Sequence, residues 1–256
     1  MYAYRANCKE GSLVSSSPLS LGTTLSLPPV YRLRTLREIG NAFVHAQTIA
    51  NEGAGTLVWA RRYHVADFAV VLEPERALVE ARLAFYAAMN ALADALSLPC
   101  PPEKPILFGW PDTILIDGGL AGGGRLAWPD KTRDEEPPDW MVFGAIIRIS
   151  APAGEEIGRW DRGTTLEEEG FEEFSTEAFI ESVSRHLLSA MHDFEEMGPD
   201  AEMKRYLTRL SDGAPEKATL AANGDIRRRT GKNAESFPHA LSFPTWIDPA
   251  TGEPWR

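Results

Sequence analysis

Along most of the chain after residue 26, short apolar runs closed by glycine or proline alternate with longer stretches whose apolar residues recur at helical spacing. "GTLVWARR" from Gly55 and "DFAVVLEP" from Asp67 are rich in Val, Leu and aromatics, and the second ends at Pro74. Both predict buried strands. Before them, "VYRLRTLREIGNAFVHAQTIANEG" carries Ile39, Phe43, Ala46 and Ala50 near helical spacing and stops at Gly53, which predicts a helix of about three turns. "ALVEARLAFYAAMNALADALSLP" from Ala77 places Leu83, Ala87, Ala91 and Ala95 on one stripe, with apolar side chains around most of the circumference. Such a helix lies deep against a sheet, and Pro99, Pro101 and Pro102 end it.

"ILFGW" from Ile106 and "TILIDG" from Thr113 predict two short strands around a turn at Pro111. "RLAW" and "WMVFGAIIRIS", the latter from Trp140, predict strands that flank an exposed acidic loop, "PDKTRDEEPPD". From Ser175 onward the pattern is helical again. Ser175 or Thr176 can cap a first helix, and Gly198 and Pro199 separate it from a second. This order of elements predicts an α+β fold, a mixed or antiparallel central sheet with helices on one side. Residues 1–26 read as a flexible tail rich in Ser and Thr, 27–212 as the main domain, and 213–256 as a small C-terminal β module. That module would serve as an acceptor-docking element or as a cap over the sheet edge.

Composition narrows the function classes. With 256 residues, 43% hydrophobic and 25% charged, the chain can build one sizeable domain and a small appendage. A net charge of −11 argues against a protein that grips phosphate backbones, so nucleic acid is excluded as a main partner. Cys8 and Cys100 stand far apart, which indicates neither a disulfide framework nor a structural zinc site and fits a reducing cytoplasm. No apolar run approaches the roughly 18 residues of a membrane span.

The densest chemical signal is "GWPDTILIDGGLAGGGRLAW" from Gly109. Glycine lets main chain turn with positive φ or come close to a ligand, so the stretch is either a hairpin with a glycine-rich turn or bare backbone beside a bound molecule. It lacks the order of a phosphate-binding P-loop. Arg61 and Arg62 follow a predicted strand and precede Tyr63 and His64. They can clamp a phosphate or carboxylate, or simply be a solvated strand end. His186 and His192 lack the spacing of a helical metal pair and are read as structural, and "LEEEGFEEF" as a solvated face. No serine or cysteine sits in a nucleophile elbow.

Taken in order, "GNAFVHAQ", "GTLVWARRYHVADFAVVLEP", the long helix, "FGWPDTILIDGGLAGGGRLAW" and "WMVFGAIIRI" resemble the catalytic domain of the biotin/lipoate protein ligase family over residues 30 to 212. Asn41 matches the family's early Asn, and Arg61 and Arg62 fall where its basic loop begins. Trp110, Pro111 and Asp112 match its Trp-Pro-Asn, Ala121 and Gly122 the end of its hairpin, and Gly144 the glycine of a later strand. The chain departs from the family at Gly109 and Gly119, which stand where it has lysines, and "RRYHVAD" carries no glycine where its loop is glycine-rich.

The resemblance implies ATP- and Mg²⁺-dependent activation of biotin or lipoate to an acyl-adenylate, and transfer to a lysine of a biotinyl- or lipoyl-carrier domain. Replacement of the missing positive charge is then expected from Arg125 or from the Arg61 and Arg62 pair. Asn41, Tyr63, His64, Trp110, Pro111, Asp112, Gly119, Ala121, Gly122, Gly123 and Gly144 are then expected to line the ligand site, and a homodimer is compatible with it. A binder that keeps the acid but not the chemistry, or a protein-interaction scaffold, would carry the same pattern.

Overall fold

The computed structural model describes residues 25–152, 162–211, 218–229 and 234–256. The expected tail therefore lies outside the described residues except for Leu25 and Ser26, as does Cys8. Seven strands form one mixed sheet in the order β1-β2-β3-β7-β6-β5-β4, comprising Arg32–Leu36, Thr56–Ala60, Val65–Leu72, Met141–Arg148, Gly119–Ala127, Thr113–Ile116 and Ile106–Gly109 respectively. Only β1 and β2 are parallel. A parallel neighbour needs a crossover, and α1 (Ala42–Thr48) supplies it.

That arrangement corrects the expected three-turn helix around Ile39. Residues 32–36 are a strand, Ile39 is fully exposed, and the helix starts only at Ala42. Strand β1 is an edge in which Arg32, Arg34 and Thr35 interrupt the leucines, so it has none of the apolar run that marks a central strand.

The predicted long helix is present in two pieces, α2 (Leu78–Ala81) and α3 (Ala84–Ser97). The break falls at Arg82, which is buried and held by Asp134 at 2.9 Å. Helix α3 is buried on nearly every side, because α4 (Thr176–Met197), α5 (Asp200–Leu207) and the sheet surround it. The Ser175 side chain caps α4 as expected, and Gly198 ends it. These long helices share one face of the sheet, where Phe143 meets Phe68 and Phe85 edge-on, with ring centroids 6.5 and 5.9 Å apart. The short α1 lies on the other face, over Val58, Ala69, Val71 and Val142.

The glycine-rich stretch is a hairpin, but most of its glycines lie outside the turn. The β5–β6 turn is made by Asp117 and Gly118, both with positive φ, whereas Gly122, Gly123 and Gly124 sit inside strand β6. They are there for space. A Cβ on Gly122 would run into the Ile146 carbonyl, one on Gly123 would lie 2.6 Å from the Trp246 indole, and one on Gly124 would lie 2.6 Å from the Met89 sulfur.

The last described segments are a two-stranded ribbon, β8 (Ala218–Leu220) with β9 (Ile226–Arg228), then α6 (Phe237–Ser242) and a looped segment to Arg256 in which Ile247 bridges Pro254. Phe237 stacks on Tyr86 with ring centroids 4.7 Å apart, so this end of the chain shares the main core.

Gly124→Ala should cost about 1–3 kcal/mol, the usual penalty of overpacking a dense core. Gly118→Ala faces open space but keeps a φ of 87° and should cost about 1 kcal/mol. Urea unfolding of both variants checks the order.

Candidate functional site

The face of the sheet not covered by the long helices gathers most of the chemistry. Alternation along β3, β7 and β6 puts Asp67, Ile146 and Gly123 in one row across it, and Ala69, Gly144 and Arg125 in the next. Helix α1 forms one wall. Asn41 caps that helix, its Oδ1 accepting from the Val44 amide at 2.9 Å, and Phe43 lies over Gly144, where a Cβ would come within 2.6 Å of the ring. The Arg125 guanidinium stacks on Phe43, 4.2 Å from its centroid. Among the described residues no carboxylate stands at ion-pair distance from Arg125.

Asp67 is fully buried, and neither of its oxygens has a hydrogen-bond partner among the described residues. Arg62 approaches to 3.7 Å. Burial raises the Asp67 pKa to about 6, against the pull of Arg62, the Ala42 amide at the start of α1, and Arg125. Asp112 is likewise buried, which pushes its pKa up to about 7 although the Thr113 hydroxyl donates to its Oδ1 at 3.2 Å. Two carboxyls are thus kept near neutrality on or beside one sheet face.

The opposite wall comes from the far end of the chain. Trp246 is fully buried against Val65 and Ile146, and its Nε1 donates to the Gly124 carbonyl at 3.2 Å. Seven residues on, the Glu253 carboxylate pairs with Arg62, lies 2.8 Å from His64 Nε2 and 3.5 Å from Arg148 Nη1. Burial alone would raise the Glu253 pKa, but His64, Arg62 and Arg148 hold it below its ordinary value.

The expected site residues are only partly brought together. Arg125, Gly123 and Gly144 share the face, and Arg62 and His64 stand at its edge, tied to Glu253. Arg61 turns away, its guanidinium 5.6 Å from the Trp59 ring, and Tyr63 is 84% exposed. With Arg37 they line a cavity of about 620 Å³ at the end of β2. The Ala121 side chain belongs to the helix-covered core, and Gly119 faces Thr164, where a Cβ would meet it at 2.8 Å. Gly122 has no room for a ligand, because the Ile146 backbone fills its approach.

Trp110 and Pro111 are bolted to the helices. Trp110 Nε1 donates to the Tyr86 hydroxyl at 3.0 Å, and the Tyr206 hydroxyl donates to the Pro111 carbonyl at 2.9 Å. The sequence reading missed Asp67, Arg148, Trp246 and Glu253. Asp67 had left a sign, a lone carboxylate in an otherwise apolar strand.

A seven-stranded mixed sheet with its long helices on one face is a fold that solved biotin protein ligase structures share. The model of the biotin/lipoate A/B protein ligase family matches residues 27–208, and the chain belongs to that family. No curated protein matches it.

Solved structures share the fold. A biotin protein ligase-like protein of unknown function from Silicibacter sp. TM1040 is 22% identical, with a TM-score of 0.73 over 84% of this chain and 97% of its own. The biotin protein ligase of Aquifex aeolicus, in complex with biotin and ATP, is 15% identical, with a TM-score of 0.62 over 80% and 94%. That of Leishmania major, in complex with biotinyl-5-AMP, is 14% identical, with a TM-score of 0.55 over 82% and 99%. Among the described residues no helix is long and apolar enough to cross a membrane.

The raised carboxyls give a signed pH dependence. The folded state holds protons on Asp67 and Asp112 that the unfolded chain releases near pH 4. Their contribution to stability is therefore complete below that pH and lost as pH rises through about 6 and about 7. Asp67→Asn should remove the share of this decline that ends near pH 6, roughly 1–3 kcal/mol, and Asp112→Asn the share that runs on to about pH 7. Urea unfolding between pH 4.5 and 8 measures both slopes.

Proposed function

We propose that this chain binds a small carboxylic acid of the biotin or lipoate type on the β3–β7–β6 face and, with ATP and Mg²⁺, joins it to a lysine of a carrier protein. The observation that carries the reading is Arg125: a half-buried guanidinium stacked on Phe43, beside the buried Asp67, with no carboxylate at ion-pair distance among the described residues. A partly desolvated cation gains most from an anion brought by a ligand. Asp67 keeps the region polar and electrostatically coupled to Arg125.

The nucleotide's phosphates suit the cavity at the end of β2, where Arg37 and Arg61 would hold them beside Tyr63. ATP supplies the adenylyl group that activates the acid. Among the described residues no group of three or more His, Cys, Asp or Glu is placed to hold a metal, so Mg²⁺ would be held mainly through the nucleotide's own oxygens.

A second reading, a binder that keeps the acid without activating it, is favoured by the glycines at the two lysine positions. A Cβ on Gly119 would lie 2.8 Å from Thr164 and one on Gly109 3.1 Å from Thr113, so neither position accepts a lysine without movement around it. Arg62, one of the cations expected to replace them, is neutralised by Glu253. Adenylation draws heavily on fixed positive charge.

Calorimetry and ATP–pyrophosphate exchange with biotin, lipoate and medium-chain acids separate the readings. Exchange with one acid supports ligation, and binding without exchange selects the binder. Arg125→Ala should weaken acid binding by about 1.5–3 kcal/mol, the worth of a hydrogen bond to a charged group. If no acid binds the unmodified protein, both readings fall and a protein-interaction scaffold remains.

A further inference from the structure

The stretch from Trp246 to Trp255 folds as a hairpin of its own. Ile247 bridges Pro254, the Trp255 amide donates to the Trp246 carbonyl at 2.9 Å, and the Asp248 amide to the Glu253 carbonyl at 2.8 Å. Asp248 closes the turn, its carbonyl taking the Gly252 amide at 2.7 Å and its Oδ1 the Ala250 amide at 2.9 Å. The turn residues Pro249, Ala250 and Thr251 are not buried. A segment that satisfies its own backbone in this way can move as a unit without breaking its internal hydrogen bonds.

Besides the packing of Ile247 beside Trp246 and of the Trp255 backbone against Gly163, its attachment has two places of unlike chemistry. At one, the Trp246 indole covers the bare backbone of Gly123 and Gly124 and the side chains of Val65 and Ile146. At the other, the Glu253 carboxylate engages Arg62, His64 and Arg148, and Arg148 also donates to the Pro254 carbonyl. A flat ring on glycine backbone is a contact that a ring-bearing acid would itself make there, and the Glu253 carboxylate takes the neighbouring guanidinium groups while Arg125, the cation assigned to the acid above, stays on Phe43.

We propose that the hairpin 246–255 is a tethered competitor of the acid: docked, it occupies the ligand face with its own ring and its own carboxylate, and the acid enters only when it swings away. This rests on the acid-binding reading above. The docked state accounts for two facts together. Gly123, which would let backbone approach a ligand, is covered by an indole, and Arg62, which would answer a ligand anion, is answered by Glu253. Regulation then follows from mass action, because a docked fraction f lowers the apparent affinity for the acid in proportion to 1 − f.

Opening can be read without any ligand. Ile146 is 2% exposed beneath Trp246, so in the full chain with Ile146→Cys, the thiol-labelling rate at residue 146, resolved from Cys8 and Cys100 by peptide mass, reports undocking. Glu253→Gln added to that chain should speed labelling about tenfold, the worth of one charge-assisted hydrogen bond, with the urea midpoint monitored in parallel. In the chain without the Ile146 reporter, saturating biotin or lipoate should increase hydrogen exchange of peptides covering 246–255, and Glu253→Gln should tighten binding of that acid.

Labelling at residue 146 that tracks global unfolding in both chains would make the hairpin a fixed part of the fold and overturn the proposal, leaving the acid reading intact. Protection of 246–255 by the acid would also overturn it, since the hairpin would then be a cover over bound ligand. Fast labelling with no acid bound by any variant would retire the acid reading, and the competition with it.

Discussion

The structure depends on how closely β6 can approach its neighbours. Strand β6 is flanked by β5 and β7 and covered on both faces, and across Gly122, Gly123 and Gly124 it carries no side chain at all. Each missing Cβ is matched by an atom from elsewhere: a carbonyl of β7, the indole of Trp246, the sulfur of Met89. The two faces of the sheet are thereby set by one strand. The helix layer sinks toward Gly124, and the end of the chain sinks toward Gly123. Glycine weakens a strand in isolation, and here the packing of three separate segments offsets that weakness.

The same closeness shapes the electrostatics. Trp246 and α1 keep water from the face between them, so carboxyls that would ionise freely at a surface are held near neutrality at Asp67 and Asp112. Arginine cannot respond by losing its charge, and the three arginines at or near the face find different answers. Arg148 and Arg62 take Glu253, and Arg125 takes an aromatic ring. The difference between a satisfied guanidinium and one resting on a ring is what singles out Arg125.

Much of the fold was legible in the pattern of apolar residues. Helix α3, the central strands and the cap of α4 follow from local spacing and from Ser175. What escaped was decided by distant partners. Strand β1 is an edge whose arginines face water or a neighbouring loop, so it resembles a helix end. The glycines of β6 look like a turn because their reason for being small lies in Met89 and Trp246, far away in sequence. Within the site, Arg125 was legible as the cation inside the glycine stretch, and Asn41 through its place in the family's order. Trp246 meets Gly124 across 122 positions, a separation that local periodicity cannot report, and Glu253 is no better marked. Gly119 and Ala121 were placed by family order alone, and the bulge between Ile114 and Leu115 interrupts the simple alternation on which such a placement relies.

Trp246 fills a slot with a glycine floor, walls of Val65 and Ile146, and a carbonyl acceptor at the back. Free indole has the same outline and the same single donor. Emptying the slot by shortening that side chain to glycine would leave a cavity suited to the small molecule, as apolar cavities cut into protein cores are suited to compounds of matching shape. The docking of the whole hairpin would then become a dose-dependent property, set by an additive in the buffer, and the protein a chemically gated receptor.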